Sequence, residues 1–256
     1  MRTFAAIFGA IAIFLLPSAL LRVALRPLGH RIGPGAKIGF SLVFADRLYL
    51  GRDARIGSLN LIKVRRILMC KESRIGRLNI LHGPFSICLG VQSKIGNSNK
   101  VTRAPQGSVT VGPARLRLGE VAAITAQHRI DCGCSVDIGD FSTLAGIGTQ
   151  IWTHGYIHET KGIGRYRIDG RIVIGNNVYI GAGSIISMGV RVADGVIIGA
   201  GSTVARDLKE PGLYVSAALR YLPRPAAPEL RADLVRVTDG GLTETVFRKQ
   251  AGIGRE

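Results

Sequence analysis

Aliphatic residues return at every sixth position through the second half of the chain. The series is Ile168, Ile174, Ile180, Ile186, Val192, Ile198 and Val204. A helix turns about 100° per residue, so a step of six would scatter these side chains over three of its sides. On extended backbone, six is a multiple of the two-residue repeat, so all of them face one way. The spacing therefore predicts short strands with one inward face.

A longer repeat of eighteen residues overlies the six-residue one. The sequence Ile-Gly-Ala-Gly-Ser-Ile-Ile at 180–186 recurs as Ile-Gly-Ala-Gly-Ser-Thr-Val at 198–204. Three units per turn predict a parallel β-helix of triangular section, with each strand stacked on its counterpart one turn away. The same step occurs near the start of the chain, at Ile32, Ile38, Phe44, Leu50, Ile56 and Ile62.

These aliphatic-Gly-x4 units resemble the hexapeptide-repeat acyltransferase superfamily. The resemblance implies an all-β fold, a left-handed parallel β-helix; only the family supplies the handedness, because parallel crossovers are usually right-handed. We expect a hydrophobic and basic helix over 1–29, the β-helical domain over 30–208 and a C-terminal tail over 209–256. Within the tail, 234–238 and 242–247 flank Asp-Gly-Gly and predict a small hairpin.

Asn60, Asn79 and Asn99 occupy equivalent places in three coils of looser spacing. The segments that contain them begin 19 and 20 residues apart, at Ile56, Ile75 and Ile95. We therefore expect the three amides to stack in one corner and satisfy each other and the turn backbone. This is a structural role.

The six-residue rhythm stops between residues 151 and 167. That stretch holds the only tryptophan, Trp152, and two of the five histidines, His154 and His158. A break about one turn long predicts a loop that leaves the solenoid. Loops fixed at both ends by a rigid scaffold are favoured places for function.

Short motifs carry the functional part of the resemblance. Sugar O-acetyltransferases of the superfamily have a Thr-His pair, then Ile-Gly-Asn-Asn-Val-aromatic-Ile-Gly, then a basic-Asp pair. Here these are Thr153-His154, residues 174–181 and Arg206-Asp207. The resemblance implies that His154 is the general base, that Trp152 and Thr153 contact the substrate, and that Tyr179 lies near the cofactor channel. The usual tip, Gly-Asn-Pro-Ala-Arg, is replaced by Val-Ser-Ala-Ala-Leu-Arg at 215–220.

A general base suits this chemistry because a sugar hydroxyl is a poor nucleophile at neutral pH. A neutral imidazole, with an ordinary pKa of about 6.5, can take the hydroxyl proton and return it to a leaving thiolate. His128, three residues before Asp131, is a second candidate catalytic residue, and His158 is a weaker rival. The group that orients the base is left open between Asp131, Asp140 and a backbone carbonyl.

Acetyl-coenzyme A is the expected co-substrate, and no metal is expected. Its extended pantetheine arm can hydrogen-bond to exposed backbone where small side chains allow close approach. The predicted positions are Gly181, Ala182, Gly199 and Ala200. The Gly181–Ala182 corner could also donate a backbone N–H to the tetrahedral oxyanion. Arg206 and Arg220 are candidates for the cofactor phosphates.

The charge balance favours acidic partners. The chain has 34 Lys and Arg against 17 Asp and Glu, a net charge of +17. Anionic lipid, nucleotide-bearing cofactors and acidic sugars fit this surface. Nucleic acid does not, because no groove-reading or base-stacking motif accompanies the charge. The cysteines, at 70, 88, 132 and 134, form no C-x-x-C pair and read as small thiols in a reducing compartment.

Residues 3–21 carry no charge, Pro17 interrupts them, and Arg22, Arg26 and Arg31 follow. A full membrane span needs about 20 apolar residues, so this stretch is marginal. We expect a short inserted or interfacial anchor that holds the body at the cytoplasmic face. The alternative is an apolar helix that caps the open end of the β-helix.

Together these features predict a membrane-associated, coenzyme A-dependent O-acyltransferase, with acetyl as the expected acyl group. The expected acceptor is a sugar hydroxyl of a surface polysaccharide or its lipid-linked precursor. The resemblance implies a homotrimer with active sites between adjacent subunits. The alternatives are N-acyl transfer to an amino-sugar and a non-catalytic β-helical scaffold at the membrane.

Overall fold

The computed structural model describes residues 18–216, 227–238 and 245–250. One helix, α1 (Ser18–Leu25), precedes a long series of short strands. The strands are β1 (Arg31–Ile32), β2 (Lys37–Ile38), β3 (Leu42–Leu50), β4 (Arg55–Ile56), β5 (Leu61–Met69), β6 (Arg74–Ile75), β7 (Ile80–His82), β8 (Ser86–Leu89), β9 (Lys94–Ile95), β10 (Lys100–Thr102), β11 (Arg115–Leu118), β12 (Ala123–Ile124), β13 (Arg129–Asp131), β14 (Val136–Ile138), β15 (Thr143–Leu144), β16 (Gln150–Ile151), β17 (His154–His158), β18 (Arg165–Asp169), β19 (Ile172–Ile174), β20 (Tyr179–Ile180), β21 (Ile185–Ile186), β22 (Arg191–Val192), β23 (Val196–Ile198), β24 (Thr203–Val204), β25 (Gly212–Tyr214), β26 (Leu234–Arg236) and β27 (Val246–Lys249). A 3-10 turn spans Pro228–Leu230.

The strands stack into three flat parallel faces. The first face runs β2-β4-β6-β9-β12-β15-β20-β23-β25. The second runs from β5 through β7, β10, β13, β16 and β21 to β24, and the third from β5 through β8, β11, β14 and β19 to β22. The nine-residue strands β3 and β5 continue around the corner between the second and third faces. The predicted fold class, an all-β parallel β-helix, is confirmed.

The core consists of aliphatic columns, one behind each face. On the first face the register aligns a single inward residue of each coil: Ile38, Ile56, Ile75, Ile95, Ile124, Leu144, Ile180 and Ile198. All of them are less than one-tenth exposed. Burying one such side chain contributes about 1.5–3 kcal/mol, so the columns stabilise the stack of coils.

The Gly-Ala-Gly repeat is explained by the corner after the first face. Gly183 and Gly201 have φ of +68° and +67°, a conformation in which a Cβ is strained. Gly181 is needed for a different reason. A Cβ there would lie 2.5 Å from the amide nitrogen of Ala200 on the next coil.

Two residues of the predicted six-residue series do not take inward positions in the solenoid. Ile168 does not lie in the solenoid: it belongs to β18, outside the three faces, and packs with Leu234 and Phe247 in a separate small cluster. Phe44 is half-buried, and Val43 takes the inward position instead, because β3 starts after a shortened corner.

The predicted asparagine ladder is confirmed. Asn60 Oδ1 accepts the Asn79 backbone N–H at 2.9 Å, and Asn79 Oδ1 accepts the Asn99 N–H at 2.9 Å. All three residues are buried. Each amide therefore satisfies the backbone of the next coil.

A four-stranded sheet projects from the solenoid at the break in the repeat. Its order is β17-β18-β27-β26, so the hairpin of residues 154–169 is extended by the C-terminal tail. β26 and β27 pair antiparallel, with Val235 opposite Arg248. β27 runs parallel to β18, which ties the tail to the interrupted coil.

Helix α1 covers the N-terminal end of the β-helix. Leu21 and Leu25 are buried in the main core, whereas Leu20 and Val23 are 54% and 74% exposed. Within residues 18–216, 227–238 and 245–250, the one helix is too short to cross a membrane. Most of the predicted 1–29 anchor, residues 1–17, lies outside the described part of the chain.

Candidate active site

Asp131 and His154 are brought together where the chain leaves the solenoid. β13 ends at Asp131 and pairs in register with β16, whose last residue is the buried Ile151. Three residues later β17 begins with His154. Its Nδ1 lies 2.8 Å from Asp131 Oδ2. The His154 and Asp131 side chains are 22% and 11% exposed, so the pair is mostly buried but accessible to solvent.

Asp131 is held by donors other than the histidine. Its Oδ2 accepts the Thr153 backbone N–H at 3.1 Å and a short hydrogen bond from the Thr153 hydroxyl. The Gly133 backbone N–H is a further donor. Burial by itself would raise the pKa of Asp131, but the hydrogen bonds and the attraction of His154 lower this pKa below its ordinary value. Asp131 is therefore ionised at neutral pH.

An ionised Asp131 fixes the tautomer of His154. The carboxylate can only accept, so Nδ1 carries a proton and Nε2 carries the lone pair when the ring is neutral. Within the described residues, Nε2 has no hydrogen-bond partner. The arrangement presents one basic nitrogen to a bound molecule, which is what a general base requires.

Aromatic rings flank His154 on two sides. The Trp152 and Tyr156 rings each lie 6.0 Å from the imidazole, centroid to centroid, and meet it edge-on at 87°. Trp152 is 39% exposed, and its indole N–H donates to Gln150. This placement is compatible with the predicted substrate contact of Trp152.

The prediction that Thr153 contacts the substrate is wrong. The residue is fully buried. Its hydroxyl donates to Asp131 and accepts the Cys134 backbone N–H at 2.9 Å. No hydrogen of that hydroxyl remains for a ligand, so Thr153 positions Asp131.

His128 does not join the pair. It is fully buried in the corner of the asparagine ladder, where its backbone N–H donates to Asn99 Oδ1 at 3.0 Å. Its Nδ1 accepts the Thr149 N–H at 3.1 Å, and Nε2 lies 2.9 Å from the Thr125 hydroxyl. Burial lowers the pKa of His128, only partly opposed by its backbone hydrogen bonds. The prediction of a catalytic His128 is therefore corrected: the ring is a neutral member of the ladder.

Two other candidates lie away from the pair. His158 is exposed at the opposite end of β17, paired with Arg165. Asp140 occupies another corner, where its carboxylate accepts the Glu120 backbone N–H at 2.7 Å. Of the orienting groups that the sequence leaves open, Asp131 is the one that contacts His154.

The predicted cofactor residues form one corner stack on adjacent coils, and their roles differ from the expectation. The Gly181 N–H donates to Ile198 O at 2.8 Å, and the Gly199 N–H donates to Tyr214 O at 2.8 Å. These amides are already used, so a Gly181 oxyanion donor is wrong. The Ala182 and Ala200 N–H groups make no hydrogen bond to any described residue. The available donors in this corner belong to the alanines.

This corner and His154 lie at opposite ends of the second face. The Gly148 corner stacks on Gly183, and His154 follows Gly148 by six steps of mostly extended chain. At about 3.3 Å per residue the separation is about 20 Å. Tyr179 is 49% exposed on the outer side of the first face, just before the corner. Arg206 is exposed beyond β24, and Arg220 lies outside the described residues.

Comparison with known proteins agrees with the coil pattern. Residues 171–206 match the model of the bacterial transferase hexapeptide (six repeats). This stretch of the chain therefore carries the hexapeptide repeat of bacterial transferases. Over 75 residues this hexapeptide-repeat chain is 40% identical to "Putative acetyltransferase YvoF" of Bacillus subtilis (strain 168), a match covering 29% of the chain and 39% of YvoF.

Solved structures resemble the hexapeptide-repeat chain more loosely. A maltose O-acetyltransferase from Clostridium difficile 630 shares 26% identity over 50% of this chain and 64% of its own, with a TM-score of 0.40. The polySia specific acetyltransferase NeuO shares 19% identity over 79% of this chain and 85% of its own, with a TM-score of 0.45. The chain thus spans less than two thirds of YvoF and of the maltose enzyme.

The second layer of the site was not predicted from the sequence. Arg167 and Asp169, both buried, form an ion pair at 2.7 Å beside the histidine. Burial raises the pKa of Asp169, while Arg167 and His154 oppose that rise. Arg167 also lies 5.7 Å from the centre of the Tyr156 ring. The available signal was the alternation of Arg165, Arg167 and Asp169 along one strand.

The thiols near the site are not activated. Burial raises the pKa of Cys134 to about 12 and that of Cys132 well above its ordinary value. Both are therefore protonated at neutral pH and poor nucleophiles. In the part of the chain that the structure describes, no cluster of three metal-binding side chains occurs.

Proposed function

We propose that this hexapeptide-repeat protein transfers an acyl group from coenzyme A to a hydroxyl of a sugar, with acetyl as the expected acyl group. One observation carries the proposal: His154 is anchored through Nδ1 by an ionised Asp131 and presents a free Nε2 beside two aromatic rings. Acyl transfer to a hydroxyl needs a base of this kind. The acetyltransferase relative and the family match agree with it.

In the proposed reaction His154 accepts and returns one proton. The acceptor oxygen attacks the thioester carbonyl carbon while its proton passes to Nε2. The tetrahedral intermediate collapses, the C–S bond breaks, and the imidazolium returns the proton to the departing thiolate. Asp131 stabilises the imidazolium by charge, and Thr153 keeps the carboxylate in place. No acyl-enzyme is needed, in keeping with the protonated state of Cys134.

The proposed donor site is the corner that carries Ala182 and Ala200. Their unused N–H groups can donate to the amide carbonyls of an extended pantetheine arm, and their small side chains permit the approach. Arg206 and Arg220 are proposed to meet the phosphates. The anionic cofactor is favoured by the net charge of +17.

We further propose a homotrimer in which the corner of one subunit faces His154 of the next. A site shared between subunits is supported by the separation of about 20 Å between this corner and His154 within one chain. When His154→Ala subunits and Ala200→Trp subunits are mixed, unfolded and refolded together, the rate at low acetyl-coenzyme A should exceed that of either variant alone if each site uses two subunits. Mixtures no faster than the separate variants, or a monomeric mass by light scattering, would refute the shared site.

The acceptor is proposed to be a sugar of a surface polysaccharide or of its lipid-linked precursor, met at the cytoplasmic face of the membrane. The exposed Leu20 and Val23 and the apolar stretch that precedes them support contact with lipid. Deleting residues 1–17 should abolish co-sedimentation with anionic vesicles and leave thiol release in solution unchanged. A truncated protein that still pellets with vesicles would refute the anchor.

The reaction is tested by thiol release from acetyl-coenzyme A in the presence of a panel of sugars and amino-sugars. We expect His154→Ala to lower the rate about 10² to 10⁴-fold, the range for loss of a general base. His158→Ala is the matched control, because His158 is exposed on the same strand and should leave the rate unchanged. Equal rates for His154→Ala and the wild type would remove His154 from the mechanism. Turnover confined to amino-sugars would indicate N-acyl transfer instead.

A further inference from the structure

A cavity of about 810 Å³ opens at the N-terminal end of the β-helix, far from His154. Its lining is Arg26, Gly29, His30, Arg31, Ile32, Arg47, Tyr49 and Arg66. Five strand steps separate β3, which carries Arg47, from β16, which precedes His154. At about 4.8 Å per step this is about 24 Å, so the cavity is not part of the candidate active site.

The cavity concentrates positive charge without neutralising it. Four of its eight lining residues are arginines and none is acidic. None of the four makes an ion pair with a described residue. Arg47 and Arg66 are direct register partners on adjacent coils, about 4.8 Å apart. Like charges placed opposite each other are unfavourable unless an anion lies between them.

Arg55 and Arg74 on the first face are a second stacked pair without an ion pair to a described residue, but further along the column of Arg47 and Arg66 an acid is supplied. The register continues from Arg66 through Ser86 to Arg115. Arg115 is neutralised by Asp137 at 2.8 Å, and Arg171 pairs with the same carboxylate. In this column Asp137 thus neutralises Arg115, and no carboxylate lines the cavity beside Arg47 and Arg66.

All four arginines are exposed, and two of them, Arg47 and Arg31, have contacts with the surrounding chain. Gly29 has φ of +77°, and a Cβ there would lie 2.0 Å from Arg47 Nη1. Arg47 Nη1 donates to Gly29 O at 3.3 Å. Arg31 lies over the Tyr49 ring, 5.9 Å from its centre. The glycine leaves the space that the Arg47 guanidinium occupies.

His30 contributes a neutral donor to the same wall. The residue is buried, and its Nδ1 accepts the Leu48 backbone N–H at 3.0 Å. The proton of the neutral ring therefore lies on Nε2. Burial, and then the charge of Arg47, lower the pKa of His30, which keeps the ring neutral.

We propose that this cavity binds a pyrophosphate group. Guanidinium groups bind phosphoryl oxygens in pairs of parallel hydrogen bonds, and a ligand with two phosphoryl groups matches two arginines on successive coils better than one carboxylate does. The volume leaves room for the group attached to the pyrophosphate. The apolar N-terminal stretch and α1 lead directly into Arg26, so the same chemistry can be supplied by a lipid-linked pyrophosphate or by a soluble one.

The test uses the full chain and inorganic pyrophosphate, titrated by calorimetry. The wild type should bind with a saturable one-to-one isotherm, and Arg47→Gln combined with Arg66→Gln should weaken binding at least tenfold. The matched control is Arg55→Gln with Arg74→Gln. These two arginines are also register partners on adjacent coils and exposed, but they do not line the cavity.

Three results would overturn the proposal: no saturable binding, equal losses in both double variants, or equal affinity for acetate and pyrophosphate. Thiol release from acetyl-coenzyme A should be unchanged in both variants, which verifies that they are folded. Vesicles of phosphatidic acid in phosphatidylcholine then identify the source. If the vesicles compete with pyrophosphate for the wild type and this competition is lost in the Arg47 and Arg66 variant, the site is assigned to lipid phosphate. If pyrophosphate binds and the vesicles do not compete with it, the site is assigned to a soluble ligand.

Discussion

The Asp131→Asn substitution tests the proposed roles of the pair most directly. Three hydrogen bonds to Asp131 Oδ2 come from the Thr153 N–H, the Thr153 hydroxyl and His154 Nδ1. Because all three are donors, the amide oxygen of asparagine should take this position. The Nδ1–H tautomer of His154 is then retained, and the change removes the negative charge while leaving one acceptor oxygen for the Thr153, His154 and Gly133 donors.

The magnitude follows from the geometry. When His154 becomes an imidazolium, its charge lies about 4 Å from that of the carboxylate, which at an effective dielectric constant of 20 is worth about 4 kcal/mol. His154 is 22% exposed, so solvent reduces this to about 2–4 kcal/mol. Since 1.36 kcal/mol is tenfold in rate, kcat should fall about 30- to 1000-fold. The KM for acetyl-coenzyme A should stay the same, because the proposed donor corner lies elsewhere.

The assay is thiol release at saturating acetyl-coenzyme A, on protein whose fold is checked by circular dichroism. Asp137→Asn is the matched control. Asp137 is also a buried carboxylate, but it pairs with Arg115 and Arg171 on the third face. A kcat within threefold of the wild type for Asp131→Asn, or an equal loss for Asp137→Asn, would refute the role given to the Asp131 charge.

Three further predictions concern the coils. His128→Asn should keep activity and reduce the loss of thermal stability between pH 8 and pH 5. Burial lowers the pKa of His128 in the folded state. The contribution of the neutral ring to stability is therefore full above the unfolded pKa of about 6.5 and is lost as the pH falls below it. An unchanged pH dependence would contradict this. Ala200→Trp should raise the KM for acetyl-coenzyme A at least tenfold, whereas Arg77→Trp, at the equivalent corner of an earlier coil, should not; equal effects would refute the donor corner. Arg103→Met should lower the free energy of unfolding, measured in urea, by about 3 kcal/mol. The buried guanidinium donates to the carbonyls of Pro84, Val111 and Gly112 and so ties the loop of residues 104–112 to the preceding coil. A change under 1 kcal/mol would argue against that role.

The solenoid could be predicted from the sequence because its rule is local. Inward positions recur along the chain, so Ile174, Ile180 and Ile186 reveal the strands without knowledge of any contact. The rule fails at Ile168, which has the right spacing but lies within the hairpin of residues 154–169. Periodicity records which way a side chain points in a strand, and it does not record which sheet the strand joins.

The role of His128 was hidden by an insertion. The ladder residues are 19 and 20 residues apart, but His128 follows Asn99 by 29, because residues 103–114 lengthen that coil. A second count would have found it: Asn79, Asn99 and His128 each come four residues after the inward isoleucine of the first face. The identity of the His154 partner had no such signal, because it depends on the register between β13 and β16.

The contribution of the tail could not be predicted, because its partner is distant in sequence. β27 pairs with β18 about 80 residues earlier, and Phe247 is buried in a cluster separate from the main core. Phe247→Ala should therefore cost about 3–5 kcal/mol in this sheet and leave the solenoid folded. Because β18 supports the hairpin that begins at His154, we expect kcat to fall, amide hydrogen exchange over residues 154–169 to accelerate, and exchange over 172–204 to stay unchanged. If exchange accelerated equally in both ranges, the sheet would be part of one cooperative unit with the coils, and the tail would stabilise the whole fold instead of the active-site wall.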